Sequence, residues 1–176
     1  MNIKILQLIE GARQATGLAV IIDVFRAFTV EAYLVNNGVQ KLIPVGDKQI
    51  AYDYKEKNKD CILIGERRGI MLDGFDYGNS PSQIEKINFT GKTVVHTTSS
   101  GTQGIANAQN ANEILTGSLV NAKAIAEYIK MQNPENVSLV CMGNGGKSEA
   151  REDTLCAEYI KSLLEGKNPN LDKEIE

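Results

Sequence analysis

With 176 residues, 42% of them hydrophobic and 23% charged, the chain has the length of one domain and the composition of a globular protein, which excludes a disulfide-stapled miniprotein and intrinsic disorder. A formal charge of −3 and a pI near 5.3 supply no general attraction for nucleic acid or an anionic membrane surface. The longest apolar run, Leu18 to Ile22, is far too short to cross a bilayer, and Asp23 ends it.

In chain order, the opening MNIKILQLIE lacks the basic start, long apolar centre and cleavage site of a secretory signal. LAVII at 18–22 reads as a buried strand, and 27–36 carries apolar residues at helical spacing before a stop at Gly38. A second strand is expected at 40–45, with Pro44 arguing against a central position, and a helix at 47–58 with Asp47 as N-cap. CILIG at 61–65 is a strand, followed by a Gly/Asp/Asn-rich loop from Glu66 to Ser80. KTVVHT at 92–97 is another, leading through TSSGT into a helix that ends near Ala108. Strand 112–117, helix 119–131, strand 137–142 and helix 148–164 complete the alternation, and no internal repeat is present. The expected fold is α/β: an open, mostly parallel sheet with helices on both faces. One domain is expected over 1–164, with a polar tail at 165–176 that frays.

Open α/β sheets place ligands at the carboxyl ends of their strands. There this sequence sets Asp23 and Arg26, then Glu66, Arg67 and Arg68, then Thr97 to Thr102, then Gly117 and Ser118, then Gly143, Gly145 and Gly146. Asp23, Glu66, Asp76, Glu152 and Asp153 supply the oxygen ligands that magnesium prefers. Thr97, Thr98, Ser99, Gly101 and Thr102, with Gly117 and Ser118, form an expected cradle of hydroxyls and backbone N–H groups for phosphate. Arg26 and Arg67 can hold an anionic oxygen bidentately. Cation, cradle and arginine together describe phosphoryl transfer.

Each piece also has a plainer reading. An aspartate after a buried strand is commonly a cap or turn former, and Glu152 with Asp153 can complement a helix dipole. The single histidine, His96, reads as a satisfied core or edge residue in its strand, and Cys61, Cys141 and Cys156 read as core. With so little His and Cys, a zinc site cannot be assembled at recognised spacings, and three separated cysteines suit a reducing, cytoplasmic compartment. Three motifs fail on inspection. Gly91-Lys92-Thr93 lacks the earlier Walker A glycine, since position 86 is lysine, and the glycine pattern from Gly143 meets Ser148 where a dinucleotide fingerprint needs glycine. Cys61 and Arg67 have the gap of cysteine phosphatases, but the residues between them are mostly strand.

VIIDVFRAFT (21–29), GERRGIMLDGFDYGNSP (65–81), HTTSSGT (96–102), GSLVNAKAIA (117–126) and GNGGKSEAREDTLCAEY (143–159) resemble, in order and spacing, the 2-phosphosulfolactate phosphatase family. The second block is the most specific, and the resemblance spans nearly the whole chain. It implies a magnesium-dependent phosphatase, a phosphoric monoester hydrolase, that converts 2-phospho-3-sulfolactate to 3-sulfolactate and phosphate in coenzyme M biosynthesis. Asp23, Arg26, Glu66 and Arg67 would then be catalytic, and Asn79, Ser80 and Asn121 would join the substrate-binding residues. The chain reads as C-terminally shortened relative to that family. Phe25 occupies the position of the second acid of a D-x-D phosphatase, so attack by Asp23 and attack by water stay open. Expected partners are a small phosphorylated, sulfonated anion and a second copy of the chain, with no nucleic acid and no membrane. The competing readings are a non-catalytic module that binds a phosphometabolite and an inactive fragment of the phosphatase.

Overall fold

The computed structural model describes residues 1–167. From 168 onward the expected polar tail lies outside the described residues. Strand and helix alternate: β1 (Asn2–Gln7), α1 (Leu8–Gln14), β2 (Gly17–Ile22), α2 (Ala27–Asn36), β3 (Lys41–Pro44) and α3 (Lys48–Lys57). Then come β4 (Ile62–Arg67), the short β5 (Ile70–Met71), α4 (Pro81–Ile84), β6 (Thr93–Thr97), α5 (Gly101–Asn107), β7 (Ala111–Gly117), α6 (Ala122–Gln132), β8 (Asn136–Cys141) and α7 (Arg151–Leu164).

The mostly parallel α/β reading holds, but the strands divide between two sheets. One is four-stranded and wholly parallel, in the order β1-β8-β2-β7. The other has the order β3-β6-β4-β5, parallel except for β5, which folds back antiparallel on β4 through Glu66↔Met71 and Arg67↔Ile70. β1 and α1 had no counterpart in the sequence reading. β1 alternates only weakly between exposed and half-buried positions, because as an edge strand it is covered on few sides, and its period is correspondingly faint.

Both sheets are buried on both faces, which is why their strands read as continuous apolar runs. In the first sheet, Leu18, Val20 and Ile22 pack with Val137 and Leu139 against α6 and α7. The alternate residues Ala19 and Ile21 meet Ala12 of α1, Ala27 and Phe28 of α2, Val140 and Met142. In the second sheet, Val94 and Ile64 face Val30 and Leu34 of α2 together with Ile84 and Phe89. On its other face, Val95 and Leu63 pack with Ala51 of α3, Leu72 and Phe75. α2 therefore belongs to both cores, its first turn against one sheet and its later turns against the other. Cys61, Cys141 and Cys156 are free and buried.

α5 begins at the end of a strand of the second sheet yet packs on the first. That crossing requires a thin helix: a Cβ on Gly104 would lie 2.5 Å from both Ile21 Cγ2 and Met142 Sδ. Gly104→Ala is expected to cost about 1–3 kcal/mol through overpacking, read as a Tm lower by several degrees in thermal unfolding.

Candidate functional site

Loops from both sheets converge on one cavity of about 1210 Å³. It is lined by Asp23, Phe25 and Arg26 after β2, Gly46 to Lys48 after β3, Glu66 to Gly69 at the β4–β5 turn, Asn79, Ser99, Ser100 and Gln103 around the start of α5, and Gly143 to Gly145 with Lys147 after β8. The strand carboxyl ends thus form the site, as the α/β pattern requires.

Its floor is built by carboxylates that accept backbone N–H groups. Asp23 is 5% exposed. Its Oδ1 accepts Ala27 N–H at 3.1 Å and its Oδ2 accepts Gly101 N–H at 2.8 Å, so one side chain caps the starts of both α2 and α5. Asp153, in the first turn of α7, accepts Val24 N–H and Gly143 N–H, each at 2.8 Å, and ties the ends of β2 and β8 together. Glu66 accepts Ser99 N–H at 2.6 Å, the Ser99 hydroxyl at 3.0 Å and Gly69 N–H at 2.7 Å.

These bonds correct the expected phosphate cradle. Of the amides between Thr97 and Thr102, those of Ser99 and Gly101 are taken by Glu66 and Asp23, and those of Thr98 and Thr102 by the Thr102 and Thr98 hydroxyls. Thr97, Thr98 and Thr102 are fully enclosed. Ser99 faces the cavity; Gly101 sits behind Asp23, with space for no side chain because Asp23 Oδ2, Ala27 Cβ and Phe28 Cζ would each lie 2.9 Å from a Cβ. Gly117, Ser118 and Asn121 stand apart from the cavity: Asn121 accepts Ser118 N–H at 2.9 Å and donates to Thr116 O at 2.9 Å, closing a local turn. Ser80 lies before α4 against Ser82 and is likewise off the cavity.

The five acids expected to surround one metal are not brought to a single point. Asp76 accepts Leu63 N–H at 2.8 Å and pairs with Lys55 at 3.6 Å, away from the cavity. Glu152 occupies the first turn of α7 without lining it. Among the described residues, no group of three or more His, Cys, Asp or Glu side chains forms a ready metal cage. Asp23 and Asp153 remain electrostatically coupled. Burial, and then repulsion from Asp153, push the Asp23 carboxyl up to about 7, and burial raises Asp153 as well.

The arginines separate by role. Arg67 is consumed internally: its guanidinium donates to Glu66 O at 2.7 Å, Gly46 O at 2.8 Å and Thr97 Oγ1 at 2.9 Å, bracing the ends of β3, β4 and β6. Desolvation lowers its pKa, as a half-buried cation requires. Arg26 and Arg68 are exposed on the cavity wall, joined by Lys48 and Lys147. Arg68 takes a positive φ of 55° at the β4–β5 turn, where its N–H donates to Ser99 Oγ at 2.8 Å. The sequence reading set Arg68 at a strand end without giving it a role, and it missed Lys48 and Lys147 as site residues. For Arg68 the signal was its place beside Arg67 at a strand end; the two lysines had none.

A raised carboxyl inverts the usual acid pattern. Between its ordinary value near 3.8 and about 7, the folded chain holds a proton on Asp23 that the unfolded chain has lost, so stability declines as pH rises through that window and levels off above it. With divalent cations chelated, Tm is expected to fall between about pH 4 and about pH 7, and a flat profile would contradict the assignment.

A family model described as 2-phosphosulpholactate phosphatase matches residues 3–175. A probable 2-phosphosulfolactate phosphatase of Caldicellulosiruptor saccharolyticus is 40% identical over 150 residues, 83% of this chain and 62% of that protein. One of Clostridium acetobutylicum is 39% identical over 143 residues, 81% of this chain and 60% of that protein. One of Carboxydothermus hydrogenoformans is 37% identical over 166 residues, 93% of this chain and 68% of that protein. The chain thus spans roughly six-tenths of the length of the first two relatives.

Proposed function

The chain belongs to the 2-phosphosulfolactate phosphatase family, and we propose that it hydrolyses the phosphate monoester of a small polyanionic acid, 2-phospho-3-sulfolactate or a close relative. The observation that carries this reading is the charge in the cavity: Asp23 and Glu66 at the floor and Arg26, Arg68, Lys48 and Lys147 around them, with Asp47 beside Lys48 capping α3 through the Gln49 N–H. A compact substrate with several negative groups would meet cations on several sides. With the Thr98, Ser99, Gly101 and Thr102 amides at the α5 start already taken, most of that recognition falls to the side-chain cations.

The residues fit a magnesium ion held by few protein ligands better than a carboxylate cage. Each Asp23 oxygen accepts a single N–H, which leaves lone pairs on a carboxylate whose negative charge burial, and then Asp153, disfavours. Magnesium commonly takes one or two carboxylates and completes its shell with waters and substrate phosphate. Asp23 would hold it, and the ion when bound would offset charge on the phosphate oxygens. Glu66 and Arg67 act by placement: Glu66 fixes Ser99 and Gly69, and Arg67 braces the loops that present Arg68. The two N–H bonds to Asp23 fix the carboxylate and draw on its electron density, which supports attack by water over attack by Asp23.

Purified protein with magnesium is expected to release phosphate from 2-phospho-3-sulfolactate, and chelation to stop release. Asp23→Asn is expected to abolish it, because the amide removes the charge and turns an N–H toward a backbone N–H. Ligand-dependent thermal stabilisation without turnover would instead identify a binding module. Arg68→Ala is expected to raise KM about tenfold or more, the size of one charge-assisted hydrogen bond, with folding unchanged; an unaltered KM would remove Arg68 from the substrate site.

A further inference from the structure

His96 is wholly buried, on the face of β6 that carries Val94 beneath α2. Its Nδ1 lies 2.9 Å from Glu31 Oε1 on α2, and its Nε2 lies 3.3 Å from Oδ1 of Asn79, which lines the cavity. Glu31 is 3% exposed and Asn79 8%. Three polar side chains from α2, β6 and the loop before α4 thus form one chain from the core to the cavity wall. Core packing alone does not call for it, since an apolar side chain would fill the same space without a buried acid.

Asn79 Oδ1 only accepts, so its contact with Nε2 is a hydrogen bond when Nε2 carries the hydrogen. Glu31, against Nδ1, orients the ring from its other side. With its oxygen turned inward, Asn79 has its Nδ2 amide hydrogens left for the cavity. We propose that Glu31 and His96 are positioning residues that hold Asn79 with its amide hydrogens toward an anionic oxygen of the substrate. Were Nε2 bare, the Asn79 amide would turn over and present an oxygen to an anion. This deepens the phosphatase reading and rests on it for the identity of the anion.

The test uses the chain's single histidine, whose ring nitrogens are the sole histidine signals in a ¹⁵N-histidine-labelled sample. Expected is a protonated Nε2 at neutral pH and a shift of the Asn79 side-chain amide on adding inorganic phosphate with magnesium; a bare Nε2, or an Asn79 amide that ignores phosphate, overturns the proposal. In kinetics, Asn79→Asp keeps the shape and the bond to Nε2 but offers the anion a negative oxygen. It should raise KM about tenfold or more while kcat changes little. Glu31→Ala should raise KM similarly. Glu31→Gln should restore it, because glutamine can donate to Nδ1 and keep the hydrogen on Nε2. An equal loss in Glu31→Gln and Glu31→Ala, or an unchanged KM in Asn79→Asp, overturns the proposal. Should the wild type release no phosphate from any monoester, the phosphatase reading fails, while the imidazole and phosphate-titration results still decide the role of Asn79.

Discussion

The hydrogen bonds from Gly101 N–H and Ala27 N–H to the Asp23 carboxylate join the two halves of the fold. Asp23 stands at the end of a strand in one sheet, and Gly101 starts a helix that leaves a strand of the other. A helix start holds N–H groups with no partner inside the helix, and at α5 a side chain from across the sheet boundary supplies one. Asp153 repeats the device between the loops after β2 and β8, and Glu66 between the β4–β5 turn and Ser99. Loops that would otherwise be independent are therefore tied at the cavity, and losing either bond at Asp23 would strand a buried donor at a cost of about 1–3 kcal/mol.

The same arrangement shapes the chemistry. Carboxylates that satisfy amides occupy most of the places where an anion would otherwise bind the α5 N-terminus, so on the proposed reading an anion is met mainly by arginine and lysine side chains. Gathering Asp23 and Asp153 also creates local negative charge that burial makes costly, which favours a proton or a cation at Asp23. On the proposed reading, structural cohesion and chemical reactivity thus come from one group. Arg67 shows the complementary case, a cation whose donors are spent on carbonyls and a hydroxyl so that its neighbour Arg68 is presented.

Much of the architecture was legible in the sequence. Apolar runs such as Leu18 to Ile22 and Leu139 to Met142 carry no alternation because both sheet faces are covered, and the strand–helix order followed from them. The assignment of strands to two sheets was not legible, since a parallel strand's partner is chosen by packing across long separations: β2 pairs with β7 and β8, not with β3. β1 was lost to its weak pattern. At the site, Asp23, Arg26, Glu66, Arg67, Asn79 and Ser99 do line the cavity, whereas Asp76 ties its loop to β4 and Lys55, and Ser118 and Asn121 close a local turn. His96 was legible as a satisfied residue in a strand, but its partners were not, because Glu31 lies 65 residues away.

By itself, the sequence determined that acids, hydroxyls and arginines gather at strand carboxyl ends, because strand period and turn composition are local properties of the chain. Only the tertiary structure decided which of those groups are free to act. An amide at Gly101 is open or filled according to a carboxylate 78 residues away, and Val24 N–H according to one 129 residues away. A buried donor takes whichever acceptor folding brings to it, and no spacing along the chain records that choice.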